Sequence, residues 1–579
     1  MKYLSLSLLF ISIVGYSQNR ILVDGIFDEW SDHPVIYSDA AGDGGFLGVD
    51  FGELQIFNDD EFIFFLLEIG SEINLQDLNK ISIFLDTDNN SNTGFSINGI
   101  GAELVYSFGE RSGLFYYANG SSEIFHSNIG LVSAPTVSSD QFEIAIKRDI
   151  SIFGNPLFLG DSVSVVFQDN TTNGDFLPDI NEAITYTFSN DVLASLPDYS
   201  IQKINESDLR ILSYNVLSNG LFDAARVPAF TRLFQAIRPD IIGFQEIYSF
   251  SSAQVADQIE SMLPSVAGEE WYHSKVEPDC HAISKYPIVQ SASIQGTGNG
   301  AFLIDGPNTE TDLFLIVAHP PCCANNIGRQ IEIDLMMKFL RDAKEGIGPI
   351  PLEANTPIVI VGDMNLVGFN EQLETLLTGD IFDEVTHGVD FNPDWDGNAL
   401  LDSQPYIPGL PLSYTWYSEE SDFSPGKLDY IIYSGSNLIL QNSYSLFTPS
   451  LPFDSLNAFN LLVNDAVEAS DHLPVVADFE IKNSTAIKNS LIKQDFGILK
   501  IYPNPSYGLT EILINIPQKD FIIIQLMDQK GREISILNQE ELNNGEHKIQ
   551  FDSSVFASGI YFIQIKTTDF TDVKKLIID

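Results

Sequence analysis

Four short stretches in the middle of the chain collect residue types suited to phosphate esters and hard cations. Asn215 lies in LSYNV, Glu246 in GFQEI, Asp363 and Asn365 in VIVGDMN, and Asp471 and His472 in ASDHLPVV. Each sits at the end of an apolar, β-branched run, where a buried strand would emerge from a sheet. Carboxylates and amides offer the oxygen ligands that a hard divalent cation requires, and the scissile phosphate needs donors and a proton acceptor. The chemistry this set predicts is water attack on a phosphate ester assisted by a divalent cation, Mg²⁺ or alternatively Mn²⁺ or Ca²⁺.

The elements that must hold these residues alternate between strand and helix from about residue 208 to 481. DLRILSYNV, IIGFQE, DLFLIVAH, PIVIVGDMN, KLDYIIYS and PVVADFEI read as strands. VPAFTRLFQAIRPD reads as an amphipathic helix closed by Pro239, and NIGRQIEIDLMMKFLRDAK as a second, longer one. Strands with helices outside them predict two packed sheets in a layered α/β arrangement. Singly, each residue has an ordinary reading: Asn215 and Asn365 as turn formers, Asp429 as a partner of Lys427. Glu246 resists one, because a lone carboxylate ending IIGFQ would be costly to desolvate unpaired.

The order Asn, Gln-Glu, His, Gly-Asp-x-Asn, Leu-Asp-Tyr and Ser-Asp-His along residues 208–481 resembles the endonuclease/exonuclease/phosphatase superfamily. The resemblance implies a deoxyribonuclease-like, four-layer α/β sandwich. It implies that Glu246 is the central metal carboxylate, that Asn215 shares the metal or orients its ligands, and that Asp471 sits beside the same ion. Asp363 and Asn365 would hold the attacking water and phosphate oxygens, and Asp429 would orient His472. His319, in LIVAHPP, would contact the phosphate as charge builds on it. The acidic partner of His319 is open between Glu277 and Asp279. Arg329, at a predicted helix start, is a candidate for a substrate phosphate and equally a structural residue.

Residues 19–190 alternate in β fashion with Gly, Asn and Asp punctuation, which predicts an all-β sandwich. VDGIFDEW, FLDTDNNSNTGF and GIGAEL in this stretch resemble family 9 carbohydrate-binding modules, which implies attachment to a glycan or surface. Within it, Asp86, Asp88 and Asn90 at alternating positions before Gly94 predict an oxygen-rich loop that could hold a structural Ca²⁺; an Asx-rich turn is the alternative.

The chain opens MKYLSLSLLFISIVGYSQ, and residues 1–18 read as a secretory signal peptide too short to span a membrane. After a polar linker at 482–498, residues 499–579 carry YPNP, the Asp528–Arg532 turn, GIYF and Lys574-Lys575. This small all-β segment resembles the C-terminal sorting domain of type IX secretion cargo in Bacteroidota. The implied partner is that secretion machinery, and the implied location is outside the cell or on its surface. The three cysteines, Cys280, Cys322 and Cys323, cannot all pair within one chain, and a bridge from Cys280 to either of the others is conceivable. Paired with each other, Cys322 and Cys323 would form a strained bridge beside the presumed phosphate.

A net charge of −51 argues against an extended nucleic-acid footprint, whose affinity comes largely from Lys and Arg. It leaves small phosphate esters open, because a bound cation inverts the local potential. The expectation is a secreted phosphomono- or phosphodiesterase. An extracellular nuclease with nucleic acid as substrate only is the first alternative. A catalytically inactive glycan- or surface-binding protein is the second.

Overall fold

The computed structural model describes residues 20–482 and 497–578, apart from short stretches at 46–47, 192, 197–198, 267, 307–311, 517–518, 528–531, 544 and 568–570. The expected signal peptide, the Asp528–Arg532 turn and most of the 482–498 linker lie outside the described residues. Two compact units make up the chain, the first running to Ile481 and the second from Lys482 onward. No helix among the described residues is long and apolar enough to cross a membrane.

In the first unit, the segment after Val23 forms a β-sandwich. One sheet has five strands in the order Val35–Ser38, Glu53–Asn58, Phe62–Ile73, Ser139–Lys147 and Val132–Ala134. The other has seven, with Ser162–Asp169, Ile81–Asp86 and Leu104–Ser107 at its centre. Phe62–Ile73 begins FIFFLLEI, a nearly unbroken apolar run. In a strand, neighbouring side chains point to opposite faces, so such a run marks a sheet buried on both sides. Ile63, Phe65 and Leu67 fill the sandwich interior. Phe62, Phe64 and Leu66 point the other way, into a second core shared with Ile407, Leu412, Tyr414, Phe447 and Leu473.

Those last residues belong to the α/β part of the same unit, so the sandwich is welded to it. Val23 pairs with Leu412 as a short parallel bridge, with Val23 N donating to Pro411 O (2.9 Å) and Ser413 N to Val23 O (3.0 Å). Elsewhere the sandwich grips two loops. Ser138 N donates to Gly368 O (2.7 Å), Asn370 N to Ser138 Oγ (2.9 Å) and Asn74 Nδ2 to Val367 O (2.8 Å). Thr136 Oγ1 donates to Lys427 O (3.1 Å), and Ser424 N to Gln76 Oε1 (2.8 Å).

The α/β part is built on two six-stranded sheets. The first runs Tyr272–Val276, Cys280–Ser284, Ile241–Gln245, Leu209–Asn215, Val475–Ile481, Leu438–Ser445. The second runs Ile288–Ser293, Gly300–Ile304, Leu313–Ala318, Ile358–Asp363, Asp429–Tyr433, Leu401–Asp402. Period-two alternation sends Leu209, Ile211, Val317, Val359, Val361 and Ala477 into the layer between the sheets. The sheets approach so closely at Gly243 that a Cβ there would lie 2.4 Å from Val361 Cγ2. Helices Val227–Ile237 and Ser252–Met262 cover the outer face of the first sheet, and Asn326–Lys344 that of the second. The result is the expected four-layer α/β/β/α sandwich.

A buried ion pair ties the first sheet together. Arg210 and Asp478 are cross-strand partners, 2% and 0% exposed, joined by Nε–Oδ1 (2.6 Å) and Nη2–Oδ2 (2.7 Å) bonds. Arg210 Nη1 also donates to the carbonyls of Ile201 (2.7 Å) and Ile237 (2.6 Å). Removing one member leaves the other charged and desolvated, so Asp478→Ala is expected to destabilise the unit by about 3–5 kcal/mol in urea melts. Replacing both with apolar residues is expected to cost far less.

The second unit is an all-β pair of sheets. One holds Gly497–Tyr502, Leu509–Ile516 and Gly545–Asp552; the other holds Glu533–Leu542, Asp520–Met527, Gly559–Lys566 and Thr571–Ile578. Ile512, Ile514, Ile522, Ile524, Ile563 and Ile565 pack between them.

Candidate active site

Sheet direction explains why distant residues meet. Leu209–Asn215 is parallel to Ile241–Gln245, and Leu313–Ala318 to Ile358–Asp363. Asn215, Glu246, His319 and Asp363 therefore leave their strands at the same end. Asp429 opens a strand antiparallel to Ile358–Asp363, and its partner in register is Asp363. Asp471 and His472 precede a strand antiparallel to Leu209–Asn215. All the residues singled out from the motifs thus gather over one end of the two sheets.

Asp363 is the centre of the cluster. Its Oδ2 accepts from Asn215 Nδ2 (3.0 Å) and lies 3.6 Å from Nε2 of both His319 and His472. Its Oδ1 accepts from Asn365 N (3.0 Å). Asn365, at φ +51°, donates through Nδ2 to Pro320 O (3.1 Å), which pins the loop after His319.

Each histidine is held from behind by a carboxylate. His472 Nδ1 meets Asp429 Oδ2 at 2.8 Å, and Asp429 is fully buried, its amide donating to Thr415 Oγ1 (2.8 Å). His319 Nδ1 meets Asp279 Oδ2 at 2.6 Å, which makes Asp279 rather than Glu277 the partner. Burial opposes a charge on either ring, but the carboxylates outweigh it. Asp429 and Asp363 push His472 up to about 10, and His319's hydrogen bond to Asp279, together with the charge of Asp363, pushes His319 up to about 9. Burial raises Asp429 while its histidine pulls it down.

Glu246 follows its strand at φ +64°, a conformation unusual for a non-glycine residue. The turn keeps the carboxylate at the sheet edge: Oε1 accepts from Asn215 Nδ2 (3.1 Å) and Oε2 from Ser218 N (2.7 Å). Glu246 N donates to Asp279 Oδ2 (3.3 Å), so one aspartate braces both Glu246 and His319. Asp471 Oδ2 accepts from Trp416 Nε1 (3.2 Å), while Asp471 Oδ1 is buried with no hydrogen-bond partner. A buried carboxylate oxygen without a partner calls for a cation. An oxygen donor of this kind suits a hard divalent ion, and close by Asp363, Asp429 and His472 each bring one ligand atom within 4.8 Å of the others.

Ser218, Thr415 and Trp416 support the site without having been singled out from the sequence. Thr415 and Trp416 lie in SYTWY, where nothing distinguishes them from core residues. Of the two readings of Arg329, its surroundings favour the structural one over the phosphate ligand. It is fully buried, and its guanidinium donates to Gln372 Oε1 (2.8 Å), Pro321 O (2.7 Å), the Cys323 carbonyl and the Asn326 carboxamide. It anchors the loop after His319. On that loop Cys322 and Cys323 are disulfide-bonded to each other, while Cys280 is a buried free thiol donating to Gly298 O (3.3 Å).

Asp86 and Asp88 lie in the N-terminal sandwich and are not part of this cluster. Asn90 accepts from Asn92 N (3.2 Å) through its side-chain oxygen, and its own amide donates to Asp86 and Asp88. It serves their loop as a backbone donor.

Residues 212–472 match the Endonuclease/Exonuclease/phosphatase family, and residues 500–579 match the Secretion system C-terminal sorting domain. No curated protein matches the chain. Among solved structures, the human nocturnin catalytic domain is 17% identical over 48% of this chain and 95% of its own, with a TM-score of 0.31. Truncated Caenorhabditis elegans TDP2 is 15% identical over 48% and 99%, with a TM-score of 0.31. Sphingomyelinase C from Streptomyces griseocarneus is 14% identical over 47% and 99%, with a TM-score of 0.29.

Proposed function

We propose, from the endonuclease/exonuclease/phosphatase domain at residues 212–472 and the sorting domain at 500–579, that this exported, metal-dependent phosphoesterase acts on small organic phosphate esters rather than on nucleic acid. The observation that carries the choice is the fate of the cations on the loops around the site. Arg226 donates to the carbonyls of Val216 (2.7 Å), Leu217 (2.8 Å) and Ala469. Lys275 donates to the carbonyls of Ile247 (3.0 Å), Tyr248 (3.0 Å) and Phe250 (3.1 Å). Arg329 is buried on its own loop. Each stabilises a loop carrying Asn215, Asp471, Glu246 or His319, and none of the three is left to track a polyphosphate backbone. With a net charge of −51, that removes the usual source of nucleic-acid affinity.

A single phosphate needs less. The two imidazole rings, held by Asp429 and Asp279, present Nε2 on either side of Asp363 Oδ2 and suit the nonbridging oxygens of one phosphate. Asp363, 3.6 Å from Nε2 of each ring, would hold the attacking water between them. The rings' own Nδ1 positions are occupied by Asp429 and Asp279. Glu246, Asp471 and Asn215 would hold a divalent cation, which when bound supplies positive charge to the phosphate oxygens. Asn365, locked to Pro320 O, keeps the rim of the site in register with Asp363.

The test is turnover of bis-(p-nitrophenyl) phosphate, p-nitrophenyl phosphate and supercoiled plasmid by the exported chain, with Mg²⁺, Mn²⁺ or Ca²⁺. Release of nitrophenol from a small ester, with the plasmid intact, is the expected result. Plasmid nicking at comparable efficiency would make the chain a nuclease. EDTA is expected to abolish turnover of the small ester and re-added cation to restore it; activity unaffected by EDTA would remove the ion from the mechanism.

A further inference from the structure

Far along the chain from the catalytic residues, the N-terminal sandwich gathers three carboxylates that have no ion-pair partner among the described residues. Asp86 ends the strand Ile81–Asp86, Asp88 lies two residues on, and Glu103 follows the short hairpin of Phe95–Ile97 and Ile100–Ala102. One ligand oxygen from each lies within 4.8 Å of the others. Asp86 is 3% exposed and Glu103 8%. Burial and the neighbouring acids raise both Asp86 and Glu103, against the hydrogen bonds that each accepts.

The decisive atom is Glu103 Oε1. Its twin, Oε2, accepts from Thr87 N (2.9 Å), but among the described residues Oε1 is buried with no hydrogen-bond partner. Leaving a carboxylate oxygen desolvated beside two other acids is unfavourable unless a cation sits among them. We propose that Asp86, Asp88 and Glu103 bind a Ca²⁺ ion that fastens the 86–94 loop to the 95–102 hairpin.

The donor set selects the ion. It contains only oxygen, which disfavours the metals that seek imidazole or thiolate. Ca²⁺ accepts six to eight oxygens in irregular geometry, so three carboxylates can be completed by loop carbonyls and water, whereas Mg²⁺ demands a strict octahedron. The walls are already set. Asn90 N donates to Asp86 Oδ1 (3.1 Å) and Asp88 Oδ1 (2.9 Å), and Gly101 N to Asp86 Oδ2 (3.2 Å). A Cβ on Gly101 would lie 2.1 Å from Thr93 O, so only glycine lets the hairpin close on the loop. Each carboxylate oxygen can accept one of these bonds and still offer a lone pair to a cation.

The experiment uses the full exported chain, stripped with EDTA and dialysed against Ca²⁺ in excess Mg²⁺, so that Mg²⁺ competes at the catalytic site. Wild type is expected to retain one more Ca²⁺ per chain than Asp88→Asn or Glu103→Gln, and to gain several degrees of melting temperature from Ca²⁺ that neither variant gains. Asp88 is only partly buried, so its replacement should leave the fold and the phosphoesterase activity intact, and that activity certifies the sample. Equal Ca²⁺ stoichiometry in wild type and the active Asp88→Asn variant would overturn the proposal. So would a Ca²⁺-induced melting shift of the same size in both.

Discussion

Glu246→Gln is expected to lower kcat/KM by about 1,000-fold or more while the chain stays folded. Glutamine keeps the shape and the left-handed backbone, so the turn between strand and loop is unaffected. What changes is charge and donor pattern. Both carboxylate oxygens now accept from N–H groups, Oε1 from Asn215 and Oε2 from Ser218. An amide would turn its NH₂ against one of them and remove the negative charge that, with Asp471, suits this corner to a cation. Kinetics with a small ester, Mg²⁺ titration and a melting curve separate the effects. The expected pattern is unchanged melting without added ion, weakened Mg²⁺ dependence and near-zero turnover. A folded variant with full activity would exclude Glu246 from the site.

The second large effect is at Asp429→Asn, expected to reduce kcat by roughly 100-fold or more with little change in KM. Asp429 is buried behind His472, and its amide is fixed to Thr415 Oγ1, so the substitution leaves the backbone in place. The asparagine amide can no longer stabilise the imidazolium. His472, held at about 10 in large part by Asp429 and Asp363, should titrate at lower pH in the variant. If turnover needs that ring protonated, activity is lost as pH rises through its pKa, and the alkaline limb of the rate profile moves to lower pH. Imidazole NMR reads the same shift directly. A variant that loses activity with an unmoved His472 titration would show that Asp429 acts by packing alone.

Much of the candidate site was readable because polar groups at strand ends interrupt strong β patterns. Asn215, Glu246, Asp363 and His472 each terminate or border a run that could only be buried strand. The parallel and antiparallel pairings then bring those ends together. Harder to read were contacts made across the chain. Glu277 and Asp279 lie in the same hairpin turn, and only its path shows which carboxylate reaches His319. Arg329 looked poised at a helix start, yet Gln372, 43 residues away, draws it inward. Glu103 escaped notice because GIGAEL stands out only as part of a module signature, while Asn90, which fits the alternating ligand pattern, accepts from Asn92 N through its side-chain oxygen. FIFFLLEI reads only as one more strand of the sandwich, and nothing in its own sequence names what covers its second face.

What covers it is the hydrolase itself, and this bears on how the protein can be divided. Leu473, in the shared core, is the residue after His472. Ser138 and Asn74 hold the loop that follows Asp363 and Asn365, and Thr136 and Gln76 hold the loop that leads into Asp429. A chain begun at residue 208 would expose Ile407, Leu412, Tyr414 and Phe447 as an apolar wound and leave both loops without their outer restraint. The sandwich is therefore a fixed flank of the enzyme. Loss of this flank by recombination would be felt first as aggregation and slowed turnover.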